Sequence, residues 1–401
     1  MKNKFSVHEQ TQHRFCTIFF FLFVLCFYAV DLTAQDWKTV ADGVEHAQVR
    51  REFTGKFVDI NLLRLDLKKV RLDVRHAMDA AIGTERTSSI ATRHGAFAAI
   101  NAGFFRLDTS IWAGDSVGIL KSNGESLSES SRDRVALFIM DRPTVTSVEI
   151  AHVTNSLTFR IGRTVQSIMG LNRERLSNET VLLTPDFHQT TLTSCDGISI
   201  VVRRNRISAV HENKCGIKIP ADGFVISALG DQHKLIKKMV LKIGVRVMVS
   251  DRVVSFTNDP SPREKRRVRD LTLLYQRASG VTNGVPQLIN KSKIDITWEQ
   301  EKASKSFVET RHPRTAVAKL KDGKFLMLTA DGRSDASAGL DLYDLAKYML
   351  ELGAVDAMNL DGGGSTTMFL DGKVVNKPSD KEGERKIGDA ILVTLRKPVR
   401  K

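Results

Sequence analysis

The chain has 401 residues, 60 Lys and Arg against 46 Asp and Glu, a formal net charge of +14 and 42% hydrophobic residues. That length suffices for one large domain or two smaller ones. The positive charge is spread along the chain. Its densest clusters, Arg263 to Arg269 and Lys234 to Lys238, carry no interleaved aromatics and no nucleic-acid-reading motif. They therefore read as solvated faces or loops, and no nucleic-acid partner is expected. The balance leans weakly toward anionic envelope polymers or phosphate-bearing substrates.

At the N-terminus Lys2, Lys4 and Arg14 precede an apolar run from Phe15 to Val30, and Ala34 follows as a small residue suited to signal cleavage. This is the layout of a secretory leader over residues 1–34, and the run is shorter than a membrane span prefers. No second apolar run of that length follows. The expectation is a periplasmic or secreted protein, with residues 36–401 forming one domain and no stable transmembrane span after cleavage. Cys26 does not signal a lipoprotein, because Val24 and Leu25 are too bulky. Cys195 and Cys215 are left either as one disulfide or as two buried thiols.

Val58, Ile60 and Leu62, then Leu63, Leu65 and Leu67, then Val70, Leu72 and Val74 alternate with polar residues. They predict half-buried strands with a turn near Lys68-Lys69, and the parity change at Leu62-Leu63 suggests a bulge. Thr87 to His94 reads as a short helix, and Ala96 to Ile100 as a strand running into Asn101-Ala-Gly-Phe-Phe105. The middle is mostly strand, at Val135 to Met140, Val181 to Leu183, Ile198 to Val202, Phe224 to Ala228 and Val245 to Val249. Leu342, Leu345, Ala346, Met349, Leu350 and Leu352 form a helical stripe stopped by Gly353. With strands at Phe325 to Thr329 and Ala357 to Leu360, this resembles a βαβ crossover. A last strand spans Ala390 to Leu395. The predicted fold class is α+β, strand-rich and mixed, in a single large catalytic-type domain.

The sharpest local signal is Asn359-Leu-Asp-Gly-Gly-Gly-Ser-Thr-Thr367, where a strand ends in an acid, three glycines and three hydroxyls. Glycines let backbone N–H groups converge on an anion, Asp361 suits acid–base work or a metal, and the hydroxyls suit phosphate or sugar oxygens. A tight turn capped by Asp361 and Ser365 would use the same residues. Asn101 and Gly103 end another strand, where Phe104 and Phe105 either wall a pocket or fill the core. Arg311-His-Pro-Arg-Thr315 offers Arg314 as a bidentate anion ligand and His312 as a near-neutral titrating group, against plain salt-bridge and structural roles. Asp331-Gly-Arg333 and Glu384-Arg385 each add an acid and a guanidinium at other element ends, where a plain turn or surface charge would look the same. There is no P-loop ending, no zinc helix around His211-Glu212, no Gly-x-Ser-x-Gly elbow and no nicotinamide fingerprint. The many acids leave room for a divalent cation, but no ligand set is legible and the metal stays unknown.

Taken together, these motifs resemble the phosphodiester glycosidase family, whose bacterial relatives are often labelled exopolysaccharide-biosynthesis proteins. Ile219 to Ile226 and Val375 to Ser379 extend the resemblance, which runs from about residue 40 to residue 395. It implies hydrolysis of a sugar-1-phosphodiester on the glycosidic side, with a phosphate-bearing or envelope glycan as substrate. It places Asp361 and, behind it, Asp331 in acid–base roles, with Arg314 and Arg333 pairing with phosphate. Asn101, Gly103, His312, Asn359, Gly363, Ser365, Thr366 and Arg385 would shape or line the substrate pocket. The sequence departs from the family at Ala102, where a second glycine is common, and along Ala278 to Pro286. Two other readings use the same residues: a non-catalytic glycan-binding protein of polysaccharide assembly, and a phosphodiesterase cutting the other side of phosphorus.

Overall fold

The computed structural model describes residues 35–131, 133–255 and 260–397; the expected leader, residues 1–34, lies outside them. The chain divides into Met1–Asp36 and Trp37–Lys401, and the second unit is the one described here. Its spine is an eight-stranded sheet in which Val44–Phe53, Lys56–Leu65, Phe325–Ala330, Arg314–Leu320, Ala354–Asn359 and Gln287–Asn290 run side by side, with Lys38–Ala41 and Lys293–Ile294 at the edges. The sheet is covered on both faces, which explains the parity change at Leu62-Leu63. Lys56–Leu65 pairs in unbroken register with both neighbours, so no bulge exists there. Leu62 packs into the core on one face with Leu326, Leu328 and Leu345, while Leu63 packs into the other with Leu72, Ile100 and Met327. A strand buried on both sides reads as a continuous apolar run.

The first of these faces is closed by the helix Leu342–Glu351, whose Leu342, Leu345, Ala346 and Met349 are buried at helical spacing. Asp341 caps it by accepting from the Asp344 N–H, and Gly353 follows with φ 89°. The predicted crossover is present: Phe325–Ala330 and Ala354–Asn359 are parallel, with the antiparallel strand Arg314–Leu320 between them. The opposite face packs on two five-stranded sheets, one containing Val70–His76, Ala98–Asn101, Met368–Leu370 and Asp389–Leu395, the other Arg134–Asp141 and Gly280–Asn283.

The middle of the chain forms smaller sheets around a core of Phe159, Ile198, Ile200, Ile226 and Val247. Cys195 and Cys215 are exposed and joined by a disulfide, so buried thiols are excluded. One long helix, Pro262–Arg277, was not expected in this strand-rich stretch. Its signals were Ser261, whose hydroxyl accepts from the Glu264 N–H, Pro262 at the first position, and the buried i, i+4 pair Leu271 and Tyr275. The cationic run Arg263 to Arg269 lies on this helix.

Candidate functional site

Six strands bring polar residues to one place: β1 (Ala98–Asn101), β2 (Gly280–Asn283), β3 (Arg314–Leu320), β4 (Phe325–Ala330), β5 (Ala354–Asn359) and β6 (Asp389–Leu395). β3 runs antiparallel to β4 and β5, and β6 antiparallel to β1, so the C-terminal ends of four strands meet the N-terminal ends of two. The glycine-rich segment leaves β5 and is stitched to its neighbours by backbone bonds. Leu360 N–H donates to Thr315 O at 2.9 Å, Asp361 N–H to Ala102 O at 2.9 Å, and Gly363 N–H to Pro313 O at 2.8 Å.

The glycines here have different reasons. Gly363 has φ 60°, a left-handed turn that opens one 3₁₀ turn over Gly363–Ser365. At Gly364 the reason is space: a Cβ would stand 2.2 Å from both Arg385 Nη2 and Asp380 Oδ1. Gly103 is likewise spatial, with Asn283 Nδ2 2.6 Å and Thr282 Oγ1 2.9 Å from where its Cβ would be. Ala102, by contrast, is buried without a positive φ, so the turn accepts a methyl group where a second glycine is common in the family.

Asp361 lies half-buried at the head of this loop, with its Oδ1 accepting from the Gly362 N–H at 2.9 Å. Burial pushes its carboxyl up to about 6, opposed by the neighbouring Ser365 hydroxyl, the Gly362 N–H and Arg385, and assisted by the charge of Asp389. Ser365 Oγ is close enough to favour the ionised form, yet it makes no well-formed hydrogen bond. Thr366 and Thr367 hydroxyls and Asn359 Oδ1 are also buried without partners. Four unsatisfied polar atoms within nine residues are unusual in a folded core and make this loop the candidate site.

Two guanidiniums flank the loop. Arg333 is exposed and makes no hydrogen bond or ion pair among the described residues. Its Nη2 lies 2.9 Å from where a Gly363 Cβ would point, and its backbone takes the left-handed φ of 60°. Arg385 grips Asp380 in a fork, Nε to Oδ2 at 2.7 Å and Nη2 to Oδ1 at 3.0 Å, beside Gly364. His312 sits nearby, its pKa lowered by burial and by the cations Arg314 and Arg333, which makes it a neutral imidazole at neutral pH.

Several residues expected to touch substrate instead hold the frame. Arg314 is buried, and its Nε and Nη2 donate to the carbonyls of Leu340, Phe307 and Thr310 at 2.8–2.9 Å. Those carbonyls occupy the fork that would grasp a phosphate. Burial brings its pKa down to about 10, so it stays charged at neutral pH. Asn101 is saturated as an acceptor by Thr315 Oγ1 (2.8 Å) and Thr367 N–H (3.0 Å), while its amide donates to Asp361 O at 2.6 Å. It is a clamp on the loop. Asn359 donates twice, to Val285 O and Leu360 O. Asp331 accepts from Asn376 Nδ2 (3.1 Å) and Lys377 N–H (3.0 Å) and borders a separate cavity of about 400 Å³ lined also by Gln48, Arg50, Asp59 and Asn61. Asn376 passes that anchorage on to Thr366 O and Met368 N–H, so Asp331 supports the strand after the loop. Phe104 packs edge-on against Phe307 beside Arg314, whereas Phe105 is core.

One residue escaped the sequence reading. Asp389, at the start of β6, is buried, accepts from Gly103 N–H at 2.9 Å and from Thr282 Oγ1 at 2.7 Å, and is pushed up to about 6 by burial. An acid directly ahead of a continuous apolar strand was the available signal. Among the described residues no group of three or more His, Cys, Asp or Glu is arranged to hold a metal ion, so the allowance for a divalent cation gains no ligand set.

A raised carboxyl on a glycine-rich loop at strand ends, with the free Arg333 guanidinium beside Gly363 and the Asp380-paired Arg385 beside Gly364, suits an anionic, oxygen-rich ligand. Residues 196–394, just under half of the chain, match the family model described as phosphodiester glycosidase. It is 36% identical over 101 residues to mouse N-acetylglucosamine-1-phosphodiester alpha-N-acetylglucosaminidase, covering 25% of this chain and 19% of that enzyme. It is 38% identical over 95 residues to the human enzyme of the same name, covering 23% and 18%. A third relative, the SPbeta prophage-derived uncharacterized protein YomE of Bacillus subtilis, is 37% identical over 87 residues, covering 22% and 13%. The chain thus matches less than a fifth of the length of each of these relatives. Among solved structures, a hypothetical protein from Synechocystis superposes with a TM-score of 0.74 at 22% identity over 91% of this chain and 64% of that one. A Burkholderia pseudomallei protein described as exported gives 0.68 at 22% identity over 85% and 74%. These two likenesses establish the fold.

Proposed function

We propose that the protein hydrolyses a sugar-1-phosphodiester on its glycosidic side, releasing free sugar and a phosphomonoester. The observation that carries this reading is Asp361, a carboxyl held near 6 at the head of the glycine-rich loop with the uncommitted Arg333 guanidinium across Gly363. In the reaction the bond between the anomeric carbon and the phosphate oxygen breaks while water adds to that carbon. The departing phosphate is a good leaving group once its charge is paired, a role that falls to Arg333 and Arg385. Asp361 in its ionised form then acts as the base that takes the proton of the attacking water. The activities named for the mouse and human relatives agree with this assignment. Asn101, Arg314, Asp331 and Asp389 are positioning residues in it.

The leader motif supports export to the periplasm or beyond, where envelope glycans would be met. Among the described residues no helix is long and apolar enough to cross a membrane. The test is product analysis with a panel of sugar-1-phosphodiesters, for the wild type and Asp361→Asn. Free sugar plus phosphomonoester, lost in the variant, is the expected result. Sugar-1-phosphate would move the cut to the other side of phosphorus, and tight binding without turnover would make the protein a glycan binder.

A further inference from the structure

The segment from Lys234 to Met248, in the small-sheet region of the chain, has a composition that the proposed reaction does not use. Gln232 to Ser250 hold five Lys and Arg and no Asp or Glu. Ile236, Met239 and Val247 are buried and fasten the segment to the core beneath it. Around these anchors the exposed apolar side chains are large: Leu235 is 39% exposed, Met248 49%, Val240 59% and Ile243 67%. The cations lie among them. Lys234 and Lys237 pair with the exposed acids Asp231 and Glu212, while Lys238 and Lys242 make no ion pair among the described residues. The backbones of Arg246 and Arg206 form an isolated antiparallel β-bridge, the Arg206 guanidinium donates to Gly244 O at 2.8 Å, and Met248 stands opposite Arg160 on the neighbouring strand.

Isolated exposed apolar residues need no explanation, but four large ones interleaved with five cations on one short, anchored stretch do. A soluble polyanion would pair the lysines and leave Val240 and Ile243 in water. A bilayer carrying anionic headgroups satisfies both: the lysines and arginines meet the headgroups while the aliphatic tips enter the acyl boundary. We infer that the surface formed by Leu235, Lys238, Val240, Lys242, Ile243 and Met248 docks this protein on an anionic lipid surface. The docking is peripheral, and it stands independently of the reaction proposed above.

Near an anionic leaflet each basic residue strengthens partition about fivefold. Lys238→Ser with Lys242→Ser is therefore expected to lower partition onto vesicles of phosphatidylglycerol and phosphatidylethanolamine by at least about tenfold, with hydrolytic activity on a soluble substrate unchanged. Because the leader could itself bind lipid, the decisive readout is local. Ile243→Trp and, as control, Tyr343→Trp are placed in the full chain, and fluorescence is quenched with brominated phosphatidylglycerol vesicles. Tyr343 is 49% exposed on the helix covering the large sheet. Added quenching at position 243 and not at 343, weakened by salt and by the two lysine changes, is expected. Equal quenching at both positions or none at 243 would overturn the inference. So would a soluble sulfated polysaccharide that binds the wild type as tightly as vesicles do and loses affinity in the lysine variant alone.

Discussion

Asp389→Asn tests the electrostatics of the site without removing any atom of its frame. Asp389 is almost fully buried, and its carboxyl midpoint moves from the ordinary 3.8 up to about 6 because desolvation outweighs the bonds from Thr282 and Gly103. Each pH unit of displacement corresponds to about 1.4 kcal/mol, so the ionised side chain costs the native state about 3 kcal/mol. For an acid raised on folding, the stability is fully present below the unfolded midpoint near 4 and is lost as pH rises through about 6. An asparagine can accept from Gly103 N–H with Oδ1 and donate to Thr282 Oγ1 with Nδ2, mimicking the protonated acid. The variant, standing in for the protonated acid, should exceed the wild type by only about 1 kcal/mol at pH 4.5 and by about 3 kcal/mol at pH 7.5, measured by urea unfolding across that range. Neutralising this charge also removes one influence that raises Asp361, so the acid limb of the rate profile should move to lower pH. A stability difference that does not change between pH 4.5 and 7.5, or a variant less stable at 7.5, would refute the reasoning.

Other outcomes follow from the same geometry. Arg333→Gly removes the free guanidinium but relieves a left-handed non-glycine residue, so stability should hold or rise by up to about 1 kcal/mol while turnover falls about a hundredfold or more; thermal unfolding alongside steady-state kinetics separates the two. Gly364→Ala forces a methyl into the Arg385–Asp380 pair, and should cost about 1–3 kcal/mol in chemical denaturation and impair activity with it. Asn101→Asp keeps both accepted bonds but sets a carboxylate oxygen against Asp361 O in place of a donor. It is expected to destabilise by about 2–3 kcal/mol at neutral pH and to recover partly under acid, where a proton restores the donor.

The sequence by itself carried the strands, the crossover helix and the places where strands end in polar clusters, because these follow from side-chain periodicity and from glycine beside acid and hydroxyl over a few residues. It also carried the family resemblance, through motifs spread along the same ends. What it could not carry was the division of labour among those polar residues. Arg314 and Arg333 look alike as arginines after a helix or strand, yet three backbone carbonyls engage one and the other makes no hydrogen bond or ion pair among the described residues. Asp331 and Asp361 both follow apolar strands, yet Asn376 and Lys377 take up the first. Asn101 reaches Asp361, 260 positions away, and Asp389 reaches Gly103, 286 positions away. Hydrogen-bond partners and burial decide whether a polar group is free to act or is already spent. Both are set by which strands lie side by side, a property of the whole folded chain that no local window of sequence contains.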